Sequence, residues 1–465
     1  MSVLRDFLKG KCLEQEEKGI ENGTYRLRHH LMAPVGWIND PNGLCQYRGV
    51  YHVFFQYGPF DVNGGLKLWG HYTSSDLVHW KYEGVAFYPD SPYDCHGVYS
   101  GCAYTDENGI HFFYTGNIKL DGDYDYINSG RRSNTMYVHS ADGYTFGEKE
   151  FLMGTEDYPQ DYTCHIRDPK VFCLSGKYYM VLGGRKKGDQ GAVLLYRSED
   201  MKRWEPAGEL TLKQPFGYMW ECPDYFTLDG HAFLAACPQG LEAEEYRFQN
   251  IYQSGYFRIK GEFPGEIEEE SFEEWDYGFD FYAPQTFADE KGRLILIGWM
   301  GVPDALYTNP TAEHGWQHAL TVPRELRCRN GKILQYPVKE LEMLRKAPQT
   351  ITESWSGSGC FDLEITQIGK GEWSLNLSDR FTVEYSEGIV TLRMDEKAGA
   401  GRTVRRARTG EIRTLRLLMD TSAAEIYLNE GEYVFSTRVY PERPEECTVL
   451  WSGAQMQGAV FKIEE

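Results

Sequence analysis

The sequence predicts an all-β protein, a five-bladed β-propeller followed by a C-terminal β-sandwich, and three observations carry that reading. First, five segments repeat one pattern, a turn glycine and then a run of β-branched, aromatic and other apolar residues. They are Gly49-VYHVFFQYG, Gly109-IHFFYTGN, Gly176-KYYMVLGG, Gly230-HAFLAACPQG and Gly292-RLILIGWMG, spaced by 60, 67, 54 and 62 residues. Self-similarity at such a period, made of short strands, marks a propeller. Four strands of ~5–6 residues with their loops fill one unit. Second, Ser74-x-Asp76, Ser140-x-Asp142 and Ser198-x-Asp200 are each followed, four residues after the acid, by an aromatic ring: Trp80, Phe146 and Trp204. Third, residues 348–465 alternate apolar and polar positions between turn signals, as in CFDLEI, WSLNL, FTVEY, GIVTLRM and AEIYLNEGEYVFSTRVY. Period two with regular turns reads as an antiparallel sandwich.

The elements follow in chain order. Residues 1–24 form an N-terminal helical segment, with Val3, Leu4, Phe7, Leu8, Cys12 and Leu13 as its apolar face. Residues 25–335 form the propeller. Pro337-VKELEMLRK-Ala347 is a short helical connector within a linker over 336–347. Residues 348–465 form the sandwich, which holds no constellation of reactive side chains.

Composition narrows the function. The 465 residues include 69 acidic and 48 basic side chains, a net charge of −21. That balance opposes nucleic acid or an anionic membrane as the main partner, because both need a basic field. With 33 Tyr, 24 Phe and 11 Trp, the chain suits a polyhydroxylated sugar ligand, though also a β-rich core. No stretch reaches the ~18 apolar residues of a membrane span, and Met1–Gly23 lacks the apolar run of a signal peptide. Eleven cysteines without a C-x-x-C pair read as reduced thiols of a cytoplasmic protein. The adjacent Cys164 and His165 lack a second ligand pair, so no metal is expected.

The reactive residues sit just before the repeat glycines. In a propeller the first strand of each blade lines the central channel. Asp40 lies nine residues before Gly49, Asp168 eight before Gly176, Glu221 nine before Gly230, and Ser100 nine before Gly109. Five-fold pseudo-symmetry brings these side chains to one axis. Clustered carboxylates at a concave site are what glycoside hydrolysis needs, one as nucleophile and one as general acid. Each acid also has a bland reading: Asp40-Pro41-Asn42-Gly43 and Asp168-Pro169 are good turn sequences, and Glu221 is compatible with a solvated edge. The shared position in the repeat favours the functional reading.

W-I-N-D-P-N-G (Trp37–Gly43), R-D-P-K (Arg167–Lys170) and E-C-P-D (Glu221–Asp224) resemble the three signature motifs of glycoside hydrolase family 32, in the family's order. The resemblance extends through FFQYGPF, WGH, SSDLVHW, YSG, QSGY, DFYAPQTF, GWMG and LTVPREL, and GYMWECPD looks most like the bacterial sucrose and sucrose-6-phosphate hydrolase branch. It implies a propeller followed by a sandwich, and a retaining reaction that releases fructose and needs no metal or organic cofactor. By the same resemblance Asp40 is the nucleophile, Glu221 the acid/base, and Asp168 the residue that holds fructose hydroxyls. Asn39, Gln56, Trp69, Tyr99, Ser100, Arg167, Tyr282 and Trp299 bind the substrate. There are departures. A second Trp usual before WGH is missing, F-S-G-S reads Tyr99-Ser100-Gly101-Cys102, and the Met of W-M-N-D is Ile38. The first two bear on the pocket rim and on substrate preference. Substrates that fit are sucrose, sucrose-6-phosphate and short fructans. Fructosyl transfer uses the same residues, and a non-catalytic sugar-binding propeller is the reading of a different class. Arg131, Arg132, Arg185, Lys186 and Lys187 are basic residues able to meet a phosphate or simply to face solvent. Assembly into identical copies is compatible with the sequence.

Overall fold

The structure is a computed structural model and describes residues 3–19, 23–378 and 380–463. Residues 36–337 build five sheets. Blade 1 runs Gly36–Tyr47, Val50–Gly58, Leu68–Ser74 and Lys81–Phe87. Blade 2 holds Val98–Asp106, Gly109–Lys119, Arg131–Ser140 and Glu150–Met153, and blade 3 holds Tyr162–Leu174, Lys177–Lys186, Gln190–Ser198 and Glu205–Leu210. Blade 4 begins with Met219–Leu228 and His231–Gln239, and blade 5 with Tyr282–Ala288 and Leu294–Met300. Each inner strand packs on the next, and the fifth returns to the first, which closes the ring. Trp316–Gln317, after the second strand of blade 5, pairs in parallel with Gly36 and Trp37 and fastens the two ends of the propeller.

The turn glycines and apolar runs are the hairpins between first and second strands. Gly49, Gly176, Gly230 and Gly292 have φ between +77° and +82°, and no side chain would strain less there. The recurring Ser-x-Asp is a capping turn. Asp76 accepts the Val78 and His79 amides at 3.0 and 2.8 Å, Asp142 those of Tyr144 and Thr145, and Asp200 those of Lys202 and Arg203.

All five inner strands carry the same irregularity. Residues 38 to 41, 98 to 101, 167 to 170, 221 to 224 and 282 to 285 each advance three positions while the partner strand advances two. One extra residue is a β-bulge, which bends the strand and re-aims its side chains. Asp168, Cys222 and Ala283 sit in these bulges with φ of 62°, 47° and 47°, each directly before a proline. Left-handed backbone at three non-glycine residues is strain that the ring of blades holds in place.

Two expectations need correction. The helix α1 (Val3–Lys18) forms, but only Leu8 and Cys12 are buried. Val3, Leu4, Phe7 and Leu13 are exposed. Much of its docking is polar: Glu16 accepts from the Tyr57 and Tyr82 hydroxyls, and Arg5 pairs with Asp90. The connector over 336–347 is one short 3-10 segment, Lys339–Leu344. Tyr336 and Pro337 end a strand of blade 5, and Arg345 already starts a sandwich strand, because both pair with neighbours before the chain has room for a longer helix.

The sandwich packs two six-stranded sheets over a core that includes Phe361, Leu375, Val383, Leu417 and Ile426. It meets the propeller through buried ions. Arg324 bonds Glu425 and Asp276, Arg402 bonds Asp280, and His30 lies between Asp420 and Glu425.

Candidate active site

The five bulges place Asn39-Asp40, Tyr99-Ser100, Arg167-Asp168, Glu221-Cys222 and Tyr282-Ala283 around one axis. Arg167, Glu221 and Tyr282 hold equivalent register positions, and Asp168 stands one residue later, in the bulge itself. That offset is why its sequence spacing to the turn glycine is one shorter.

Asp40 belongs to a closed ring of hydrogen bonds. Its Oδ1 accepts from Asn39 Nδ2 at 2.9 Å and its Oδ2 from the Ser100 hydroxyl. Gln56 Nε2 donates to Ser100 Oγ at 2.9 Å, and Asn39 Nδ2 also donates to Gln56 Oε1. Trp37 Nε1 fixes the Asn39 amide at 2.7 Å. Burial pushes the Asp40 carboxyl above its ordinary range and Glu221 adds to the push, while Ser100, Asn39 and the Lys67 cation oppose it. Behind the ring, Asn42 Nδ2 donates to the Asp40 carbonyl and its Oδ1 accepts the Gly101 amide. Gly43 turns the strand at φ 54°, where a Cβ would meet the Phe54 ring at 2.8 Å.

Glu221 is engaged on both oxygens. Oε1 accepts from Arg167 Nε at 3.0 Å and Nη2 at 2.5 Å. Oε2 accepts from Tyr282 Oη and Gln239 Nε2, both at 2.6 Å. Asp168 Oδ2 accepts the Cys222 amide at 3.0 Å and lies 3.9 Å from Arg167 Nε, and the Asp168 amide donates to Thr115 Oγ1. Burial raises the Asp168 carboxyl; Arg167 lowers it, and the charges of Glu221 and Asp40 raise it further. Two carboxylates, Glu221 and Asp168, thus flank the Arg167 guanidinium, and Asp40 feels the charge of Glu221. A sugar ring seated among them meets three carboxyl groups.

One expected binding residue lies behind this wall. Trp69 is 0% exposed and packs among Phe54, Phe87 and Tyr114, because its strand feeds the core between blades 1 and 2. Its indole donates to the Tyr99 carbonyl at 3.1 Å, so it braces the Ser100 strand instead of facing a ligand. Trp299 is 2% exposed, as Tyr282 is, and its ring lies against Tyr282 and Trp37. Asn39, Gln56, Ser100, Arg167 and Tyr282 join the hydrogen-bond network with the three acids, and Tyr99 flanks them.

Sequence reasoning missed several parts. Gln239, from the Pro-Gln-Gly that closes a repeat segment, touches Glu221. Lys67 rests over the Trp37 ring at 4.6 Å, and burial holds its ammonium down near pH 7. Lys170 and Asp224, the last residues of two motifs, pair at 3.1 Å, and Asp224 accepts the Thr286 amide and hydroxyl, which ties inner strands 3, 4 and 5 beneath the site. His165 accepts from Arg167 Nη1 at 2.7 Å and donates from Nε2 to the Tyr126 carbonyl.

A family model for the glycosyl hydrolases family 32 N-terminal domain matches residues 30–337, and one for the family 32 C-terminal region matches residues 374–463. The chain is 39% identical over 450 residues to the sucrose-6-phosphate hydrolase of Bacillus subtilis, covering 92% of each. The structure of sucrose-6-phosphate hydrolase from Lactobacillus gasseri superposes with a TM-score of 0.88 at 27% identity, covering 98% of this chain and 96% of that one. A Bombyx mori β-fructofuranosidase variant solved with sucrose matches at TM-score 0.85 and 28% identity, covering 100% and 99%. The chain belongs to glycosyl hydrolases family 32.

Proposed function

We propose that the protein is a retaining β-fructofuranosidase that releases fructose from sucrose or sucrose-6-phosphate. The observation that carries this is the pairing of Asp40, held by donors on both oxygens, with Glu221, held by a guanidinium, an amide and a phenol across the channel. Asp40 attacks the anomeric carbon of the fructosyl unit, and Glu221 delivers a proton to the glycosidic oxygen. A fructosyl ester on Asp40 results, and Glu221 then takes a proton from the water that hydrolyses it. Asp168 accepts hydrogen bonds from fructose hydroxyls, which strengthen as positive charge develops on the ring. Gln239 and Tyr282 let Glu221 keep its orientation when the sugar displaces part of the Arg167 contact. The sugar-phosphate hydrolases among the relatives and the eleven free cysteines support a reaction in the cytoplasm.

NMR of the nascent product tests the mechanism. Retention gives β-fructose first; initial α-fructose removes Asp40 from the nucleophile role. Product analysis at high sucrose separates hydrolysis from transfer: free fructose supports this reading, and oligosaccharides in its place support a transferase.

A further inference from the structure

We infer that Gln239 is a positioning residue that follows the proton of Glu221, its side-chain amide turning from donor to acceptor as the acid/base changes state. The inference rests on the β-fructofuranosidase reading above. On blade 4, Glu221 lies opposite Cys237, and Met219 lies opposite Gln239. Residues 237 and 239 share a face of the sheet, so Gln239 reaches Glu221 along the diagonal from the neighbouring strand. Its backbone is clamped: the carbonyl accepts the Tyr218 amide at 2.8 Å, and Gln239 bridges to Tyr252. Its side chain is not. Gln239 is half-buried, and the bond from Nε2 to Glu221 Oε2 at 2.6 Å is the one hydrogen bond its amide makes among the described residues.

Four donor atoms point at the two oxygens of Glu221. Arg167 gives Nε and Nη2 to Oε1 at 3.0 and 2.5 Å, and Tyr282 Oη and Gln239 Nε2 each reach Oε2 at 2.6 Å. Asp40 and Asp168 feel the charge of Glu221 but bond neither of its oxygens among the described residues. This is the setting of an ionised carboxylate, which only accepts. It suits the second step, in which Glu221 takes a proton from water. It does not suit the first, to which Glu221 must bring a proton. A guanidinium keeps all its protons, and Arg167 Nη1 is also held by His165 at 2.7 Å, so Oε1 stays an acceptor. The proton therefore belongs on Oε2, where two donors already stand, and one of them must turn.

Burial decides which. Tyr282 is 2% exposed, and its hydroxyl bonds only Glu221 among the described residues. If it accepts from Oε2, its own proton is left buried and unpaired, and that costs more than a typical hydrogen bond contributes. Gln239 carries an acceptor at the other end of the same amide, and its Oε1 is not shut off from solvent. A half-turn about the last torsion, which is broad and roughly two-fold in glutamine, sets Oε1 where Nε2 stood and leaves the NH2 group to water. Before cleavage, then, Gln239 Oε1 accepts from protonated Oε2. As the glycosidic bond breaks, that proton passes to the leaving oxygen, which keeps the bond's electron pair, while Asp40 forms the ester. Gln239 turns back, and Nε2 holds the carboxylate until the attacking water gives it a proton.

The experiment compares Gln239→Met with the wild type on sucrose and on β-fructofuranosyl fluoride, with thermal unfolding as a fold check. Fluoride leaves without a proton, so the second step governs turnover of that substrate. Methionine has about the length of glutamine without its strong donor and acceptor. A group that serves both states is missed in both steps: kcat should fall about 10-fold on each substrate, the value of one hydrogen bond to a charged group, with the alkaline limb of the kcat/KM profile in place. Loss of a fixed donor would instead make Glu221 a weaker acid and a stronger base. Sucrose turnover alone would then fall, and the alkaline limb would move to higher pH. That pattern overturns the turning amide, and so does unchanged turnover on both substrates. Neutron diffraction from wild-type crystals at low and high pH reads the amide without a variant: Oε1 should face Glu221 at low pH and Nε2 at high pH, and one orientation at both overturns the inference. Each of these outcomes leaves the β-fructofuranosidase reading standing, whereas a wild type that cleaves neither substrate removes both.

Discussion

The molecule buries charge in two places, and the two are built differently. Between propeller and sandwich, Arg324 is fully buried and bonds Glu425 Oε2, Asp276 Oδ2, Gln335 Oε1 and Ser436 Oγ at 2.5, 3.3, 2.8 and 2.6 Å. Arg402 meets both oxygens of Asp280 at 2.7 and 2.8 Å, and His30 bridges Asp420 and Glu425 at 2.9 Å each. Despite burial, these partners hold the Glu425 carboxyl down to about 2 and Asp420 well below its usual range. Asp276, with only part of one arginine, is still pushed up to about 6. At the inner-strand bulges, Asp168 and Glu221 share Arg167, Asp40 has a weakly charged Lys67, and Asp40 and Asp168 rise. Ions matched by counter-ions anchor one domain to the other. Ions left under-compensated at a channel mouth stay reactive.

The comparison breaks most sharply if the two regions respond alike to loss of one charge. Glu221→Gln should lower kcat on sucrose by ~10²–10⁴-fold, the value of a general acid. The loss should shrink for a fructoside whose leaving group needs no proton. Its melting temperature should not fall, since one of three crowded charges is gone. Equal losses on both substrates would remove Glu221 from the acid role.

Next comes the interface. Arg324→Leu strands Glu425 and Asp276 in a dry site, and breaking a buried ion pair costs about 3–5 kcal/mol. Denaturant unfolding should show that loss, while the folded fraction keeps near-normal kcat. A variant as stable as the wild type would show that this network does not hold the domains together.

A smaller effect sharpens the interface side through pH. His30 is pushed up to about 9 from 6.5, chiefly by its bonds to Asp420 and Glu425 working against burial. A raised histidine contributes stability that is whole below pH 6.5 and lost as pH rises through about 9, on the order of 3 kcal/mol. His29 beside it is held down to about 4 by burial, so its share is lost as pH falls from 6.5 toward 4. His30→Gln should therefore flatten the decline between pH 6.5 and 9 and leave the acid side unchanged. A decline of unchanged slope would show that His30 is neutral in the fold.

The turn glycines, the period near 60 and the alternating C-terminal strands made the two folds legible, because hairpin turns and strand faces are local. Asp40, Asp168 and Glu221 were legible because pseudo-symmetry puts near-equal offsets from a turn, nine, eight and nine residues, on one axis. The bulges were visible only as Asp-Pro and Cys-Pro pairs, which also read as turns. Trp69 misled because an aromatic motif looks the same whether its ring faces ligand or core. Gln239, Lys67, His165 and the Arg324 network were not legible at all. Gln239 meets Glu221 from 18 residues away and Arg324 meets Glu425 from 101 residues away, and nothing local marks a side chain that meets its partner only after the blades close.

Lys67 gives the finest test of under-compensation. Its charge is one of the forces that hold Asp40 down, against burial and Glu221 that push it up. Asp40 and Asp61 in turn help Lys67 keep its proton, though burial draws it down to about 7. Below pH 7 the ammonium is mostly present, and that is where the acid limb of kcat/KM falls if Asp40 must ionise to attack. Lys67→Met removes the cation, so the Asp40 carboxyl should rise further and the acid limb should move to higher pH, by about one unit. Lys67→Arg should move it little. The readout is the pH profile of kcat/KM on sucrose, which reports groups of the free enzyme. A limb that stays put, or moves to lower pH, would mean that Asp40 does not feel this cation, and that the inner-strand carboxylates are compensated from elsewhere, as those at the domain interface are.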